Sequence, residues 1–213
     1  MTFLEEKNAV ANVSGKTDGT TPNVVRDNAI NNVRRSEIAN AYPFSWLESA
    51  PTIVAIDANG QADLPADYNI IHKPKDVRVV GVHTLNQKNK ELFEDSSFTN
   101  NYDYFLDWNS STSLWRINTD QVSLNIQIIY YKIPATLTTD NEVDIIPDLD
   151  VITYLGAARF WLSTERDETN YDRFKSLGTA RIKELINIDK KANPQRVRRS
   201  SMYGSNMGFN TID

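Results

Sequence analysis

The apolar residues of this chain change their period twice, and that alternation limits what the chain can fold into. From Thr52 to Pro134 they recur at every second position, while before and after that stretch they recur at three and four. A period of two belongs to strands and a period near 3.6 to helices. The pattern therefore predicts a β region inserted between helices, an α+β arrangement rather than alternating βαβ units. With 213 residues and 40% hydrophobic content, the chain is large enough to bury a substantial core.

The first helix is expected over Pro22–Ala41. Thr21 offers a capping hydroxyl and Pro22 is tolerated in the first turn. Val25, Ala29 and Val33, with Ile30, Ile38 and Ala41 beside them, make a narrow stripe, and Arg26, Arg34, Arg35 and Glu37 are expected outside it. Pro43 ends the helix, and the knot Tyr42, Pro43, Phe44 and Trp46 is expected to plug the junction where the chain enters the sheet. After Pro134 a helix starting from Pro147 and Asp148 carries Val151, Leu155, Ala158 and Leu162 on one face, with Ile152 and Phe160 flanking. A last helix is expected over Glu168–Ile188, closed by the "DKKANP" stretch.

Four or five antiparallel strands are expected in between. The turn Asp57-Ala58-Asn59-Gly60 reads as a hairpin joining two short extended runs. Asp76–Leu85, Ser113–Asn118 and Val122–Pro134 supply the others, the last with Val122, Leu124, Ile126, Ile128 and Tyr130 on one face. The polar stretch 86–111 reads as a long loop holding one helical turn. The resulting map has an arm over 1–20, three main helices forming a bundle over 21–47 and 147–192, an inserted antiparallel sheet region over 48–146, and a flexible tail over 193–213.

Charge and composition exclude several classes of function. There is no cysteine for disulfide or thiolate chemistry. No apolar run reaches the length of a membrane span, and "MTFLEEKNAV" lacks a signal-peptide core, so the chain is expected to act in the cytoplasm where it is made, without a membrane. Net charge is −5, yet Arg181–Arg199 holds seven basic and two acidic residues, so a basic end follows an acidic body.

No motif specifies an active site, so neither enzyme chemistry nor a cofactor is expected. "GKT" at Gly15–Thr17 imitates the end of a phosphate-binding loop without its first glycine or the preceding strand. His72 and His83 lack metal-ligand spacing. The acids Glu165, Asp167, Glu168 and Asp172 read as a cap and a solvated face, and the triplets at Asn12 and Asn109 carry no meaning without secretion. In the tail, Arg196, Arg198 and Arg199 beside Met202, Tyr203 and Phe209 suit either phosphate contacts with stacking or anchoring on an acidic protein surface. An acidic body favours the protein surface.

Three stretches taken in order resemble the head-to-tail adaptor proteins of tailed phages, also called connector or head completion proteins, including the gatekeeper and tail-tubular types. They are "NAINNVRRSEIANAYPFSWL", then "LPADYNIIHKPKDVRVVG" with "IQIIYYKIPATLTTDNEVDIIPDLDVITYLGAARFWL", and the closing helix with its Arg-rich tail. The resemblance covers about residues 22–192. It implies a structural virion protein at the head-tail junction, assembled in the host cytoplasm as a homo-oligomeric ring, commonly a dodecamer, between portal protein and tail. DNA would pass through its channel without sequence-specific binding. The tail residues Arg196, Arg198, Arg199, Met202, Tyr203 and Phe209 would reach the portal, and Arg34, Arg35, Tyr42, Phe44 and Trp46 would serve ring or junction packing. Another neck or tail-completion protein, or a nucleic-acid-binding protein using the basic tail, are the alternatives.

Overall fold

The computed structural model describes residues 1–15, 23–80, 84–94 and 102–194. The chain divides into two compact units, one formed by Met1–Ser45 with Leu137–Asp213 and the other by Trp46–Thr136.

The first unit is helical, and it begins earlier than the period suggested. Residues Phe3–Ser14 form helix α1 in place of the expected arm. A capping box starts it: the Glu5 backbone N–H donates to the Thr2 hydroxyl at 3.3 Å, and the Thr2 N–H donates to the Glu5 carboxylate at 2.7 Å. Phe3, Val10 and Ala11 are buried along one side. The start of the chain is also bonded to residues far along it. Phe3 N–H donates to the Glu142 carbonyl at 2.9 Å, Leu4 N–H to that of Asp140 at 3.1 Å, and Asp144 N–H to that of Met1 at 3.0 Å. These bonds hold 140–144 to the helical unit, which is why the β region ends at Thr136 and not at 146.

Helix α2 (Asn23–Asn32) runs into a π-helical turn, Val33–Ile38, and then into α3 (Ala39–Ala41). In the π turn the Ala39 N–H reaches back five residues to the Arg34 carbonyl. The extra residue in that turn lets Val33 and Ile38, five apart, both be buried completely. Tyr42 then takes the extended conformation that the following proline demands.

Helix α5 (Leu149–Thr164) is capped by Asp148, which accepts from Val151 N–H at 2.9 Å, and α6 (Glu168–Ala192) by Asp167, which accepts from Asn170 N–H at 3.0 Å. Pro147 lies one residue before the cap. Val151, Leu155 and Ala158 are buried as expected, but Ala157 joins them and Leu162 is exposed. Gly178 lets α6 approach α5 closely, since a Cβ there would sit 2.4 Å from Leu155 Cδ2. The helix continues a turn past Ile188 and ends on Lys190 and Lys191, whose charge suits a helix C-terminus. The helical unit thus holds four helical stretches among the described residues, α1, α2 with its continuation, α5 and α6, and not three.

The second unit holds two sheets. Strands β1 (Thr52–Ala55), β7 (Asn125–Ile129) and β3 (Asp76–Val79) lie in the order β1-β7-β3, all antiparallel. The other sheet has the order β2-β6-β5-β4, from β2 (Gln61–Asp63), β6 (Leu114–Thr119), β5 (Asp103–Asn109) and β4 (Asn86–Gln87). Short helix α4 spans Lys90–Glu94. Ile56, Leu64, Val77, Ile117, Ile126, Ile128 and Tyr130 belong to the core between them.

Three expectations about this unit are corrected. The Asp57–Gly60 turn does not close a hairpin ladder: β1 pairs with β7 and β2 with β6, so the turn passes the chain from one sheet to the other. The polar stretch 86–111 contains β5, an interior strand, and the parallel pair β4–β5, so the strands number seven among the described residues and are not all antiparallel. Asp103 and Asn109 hid that strand, because both are buried with polar partners, Asp103 with Lys88 at 2.7 Å and Asn109 with Asp63 at 3.0 Å. On β7 the inward face starts at Ile126, leaving Val122 and Leu124 exposed.

Candidate functional site

A buried polar cluster of the helical unit surrounds Arg34, which the regular helical period had placed outside. Arg34 is 1% exposed. Nε donates to Asp144 Oδ2 at 2.6 Å and Nη2 to Asp144 Oδ1 at 2.5 Å, a two-pronged pair whose planar geometry only arginine supplies. Nη1 donates to Asn31 Oδ1 at 3.0 Å. Asn31 also grips the far segment, accepting from Leu137 N–H at 2.9 Å and donating through Nδ2 to the Leu137 carbonyl at 2.9 Å. The π turn and two side chains thereby fix both ends of residues 137–144.

Glu6 of α1 completes the cluster. It is fully buried, and among the described residues neither carboxyl oxygen has a hydrogen-bond donor. Burial first and the Asp144 carboxylate second push its pKa up to about 8, with Arg34 pulling the other way.

The aromatic knot is divided between the units. Phe44 is fully buried in the helical unit with Tyr42 packed edge-on at 5.0 Å, and Lys190 Nζ stands 5.8 Å from the Tyr42 ring. Ser45 N–H donates to Asp189 Oδ1 at 3.1 Å, tying the end of this segment to α6. Trp46 belongs to the sheet unit and is half-buried. Arg35 is exposed. Its neighbour Glu37 accepts from Arg159 at 2.5 Å and from Lys175, joining the π turn to α5 and α6.

The other candidate motifs reduce to local structure. Gly15 is the left-handed cap of α1, while Lys16 and Thr17 lie outside the described residues. His72 packs edge-on against Tyr131 at 5.8 Å, and His83 lies outside the described residues. Arg196, Arg198, Arg199, Met202, Tyr203 and Phe209 also lie outside them. Among the described residues no group of three or more histidine, cysteine, aspartate or glutamate side chains is placed to hold a metal ion, and no helix is long and apolar enough to cross a membrane.

Large apolar side chains face solvent on both units. In the sheet unit Ile53 is 62% exposed, and Trp108, 52% exposed, packs edge-on against Trp115 at 5.6 Å. In the helical unit Val143 is 67% and Ile188 56% exposed. Of these, an exposed tryptophan such as Trp108 is the residue type enriched among interface anchors, while single exposed aliphatic side chains are common on any protein surface.

Residues 1–201 match the family described as SU10 adaptor protein. The chain belongs to the SU10 adaptor protein family. No curated protein matches it. Membership makes it a tailed-phage adaptor and a virion component with a structural role. The matched residues include those of α1. Glu6, Asn31, Asp144 and Asp189 went unrecognised in the sequence. Only the Thr2-x-x-Glu5 capping box pointed to α1, and nothing local distinguishes a buried acid from an exposed one.

Proposed function

We propose that this SU10-family adaptor assembles as a homo-oligomeric ring, a dodecamer by its resemblance, between the portal protein and the tail. The ring extends the DNA channel and presents a platform on which tail or neck proteins dock. The observation that carries the proposal is the family match over residues 1–201. The exposed Val143 and Ile188 of the helical unit offer apolar area to ring neighbours, and Trp108 of the sheet unit, with Ile53 also exposed there, offers an aromatic anchor to the tail. A cyclic array repeats each small contact, so individually modest patches suffice.

In this reading Arg34 and Phe44 act indirectly, by fixing the helical unit that ring neighbours touch, with Tyr42 packed on Phe44. Arg35 and Trp46 are accessible enough to take part in ring or junction packing. The segment with Arg196, Arg198, Arg199, Met202, Tyr203 and Phe209 anchors the adaptor on the portal by charge and aromatic contacts. An acidic body suits a channel that passes DNA without holding it.

The test is gel filtration and negative-stain imaging of the protein alone and with its portal, as the full chain and as a form truncated before Gln195. A stacked ring that needs the C-terminal segment is expected. A folded monomer that never joins the portal would overturn the reading. Salt-dependent DNA binding lost on replacing the three arginines would favour a nucleic-acid-binding role instead.

A further inference from the structure

The Glu6 carboxyl sits where an ionised acid is poorly supported. Both its oxygens are buried without a donor among the described residues, and the neighbouring polar group is the Asp144 carboxylate, itself an acceptor. Asp144 already satisfies Arg34, so one guanidinium would face two carboxylates if Glu6 were charged. A protonated Glu6 removes the conflict, because its O–H can donate to Asp144.

We infer that α1 is a releasable strap, held on the helical unit by a proton shared between Glu6 and Asp144, and freed as that proton is lost.

Among the described residues, the charges named next are engaged elsewhere or face solvent. Lys7 bridges Asp27 of α2 at 3.1 Å and Asp140 at 2.9 Å. Glu142 accepts from the Thr139 N–H at 2.9 Å and from that of Thr138. From α5, Asp148 is paired with Arg181 and Arg159 with Glu37, while Asp150 is exposed. Arg34 favours ionised Glu6, and burial with Asp144 outweighs it.

The seat of α1 is otherwise apolar and closely fitted. Phe3 and Val10 are fully buried, and Val10 Cγ2 lies 2.9 Å from where a Cβ on Gly156 of α5 would stand. Release would uncover that apolar surface. It would also break the pairing of Met1, Phe3 and Leu4 with residues 140–144.

Hydrogen exchange of the α1 amides, corrected for the intrinsic effect of pH, tests this directly in the full chain. An exposed glutamate titrates near 4.5, and burial beside Asp144 pushes Glu6 up to about 8. Opening should therefore become up to about tenfold more frequent per pH unit across that window and level off above it, while α6 keeps its protection. In Glu6→Gln, whose amide can donate to Asp144 without a proton to lose, α1 protection should be independent of pH. Wild-type protection as flat as that of the variant would overturn the inference, as would α1 and α6 losing protection together. Should Glu6→Gln not fold, carboxyl carbon NMR of the wild-type chain decides: a Glu6 midpoint well above the ordinary glutamate range supports the strap, and one near 4.5 refutes it. These results do not depend on ring assembly, so the strap and the adaptor reading fail separately.

Discussion

Arg34 and Asp144, 110 residues apart in sequence, meet in a buried two-pronged ion pair with Nε–Oδ2 and Nη2–Oδ1 distances of 2.6 and 2.5 Å. The pair joins the π turn to the segment that returns from the sheet unit. A pair this enclosed gains little over an apolar core of the same volume, but losing one member leaves a buried charge without compensation.

Arg34→Met should therefore destabilise the helical unit by about 3–5 kcal/mol. Asp144 would then lie beside Glu6 with no guanidinium. Urea unfolding checks this, and the double variant Arg34→Met with Asp144→Leu should recover a large part of the loss. A double variant no more stable than Arg34→Met alone would contradict the account.

Stability should fall as pH rises through neutrality. Glu6 has a raised pKa in the folded chain, so the folded state holds a proton that the unfolded chain releases above 4.5. Its contribution is complete below 4.5 and is lost progressively up to about 8, at no more than about 1.4 kcal/mol per pH unit. Melting temperatures of wild type and Glu6→Gln across this range should diverge in favour of the variant as pH rises.

In the sheet unit, Gly60 has a φ of 75°, and a Cβ there would stand 2.1 Å from the Thr119 carbonyl oxygen. Gly60→Ala should cost about 2 kcal/mol or more, since both the backbone conformation and the space are denied. Gly15→Ala, also at positive φ but with no atom of the described residues within 4 Å of the added Cβ, should cost about 1 kcal/mol. Denaturant titration of the two variants should preserve that order.

Asp189 anchors Ser45 to α6 through the backbone N–H at 3.1 Å and through the hydroxyl. Asp189→Ala should cost about 1–3 kcal/mol and raise hydrogen exchange at Ser45. Unchanged exchange there would show that Phe44 and Tyr42 hold the segment without it.

The helices with long periodic faces were legible in the sequence because burial there follows one stripe. Val151, Leu155 and Phe174 declare their helices without help from any distant residue. Several of the failures share a cause: a polar side chain buried by a partner elsewhere in the chain. Arg34 looked exposed because Asp144 is 110 residues away, and β5 looked like a loop because Asp103 and Asn109 are satisfied inside by Lys88 and Asp63. The π turn adds a second cause, since it shifts the helical register within one turn and no residue type announces it. Helix α1 was overlooked because Glu6 and Lys7, both buried, interrupt its apolar side.

Electron cryomicroscopy of the head-tail junction in the virion tests the central claim most directly. The account predicts a ring of copies of this chain seated between portal and tail, enclosing the DNA channel, with residues 195–213 traced onto the portal. A junction whose ring is built from another protein, or this chain found only elsewhere in the particle, would contradict it.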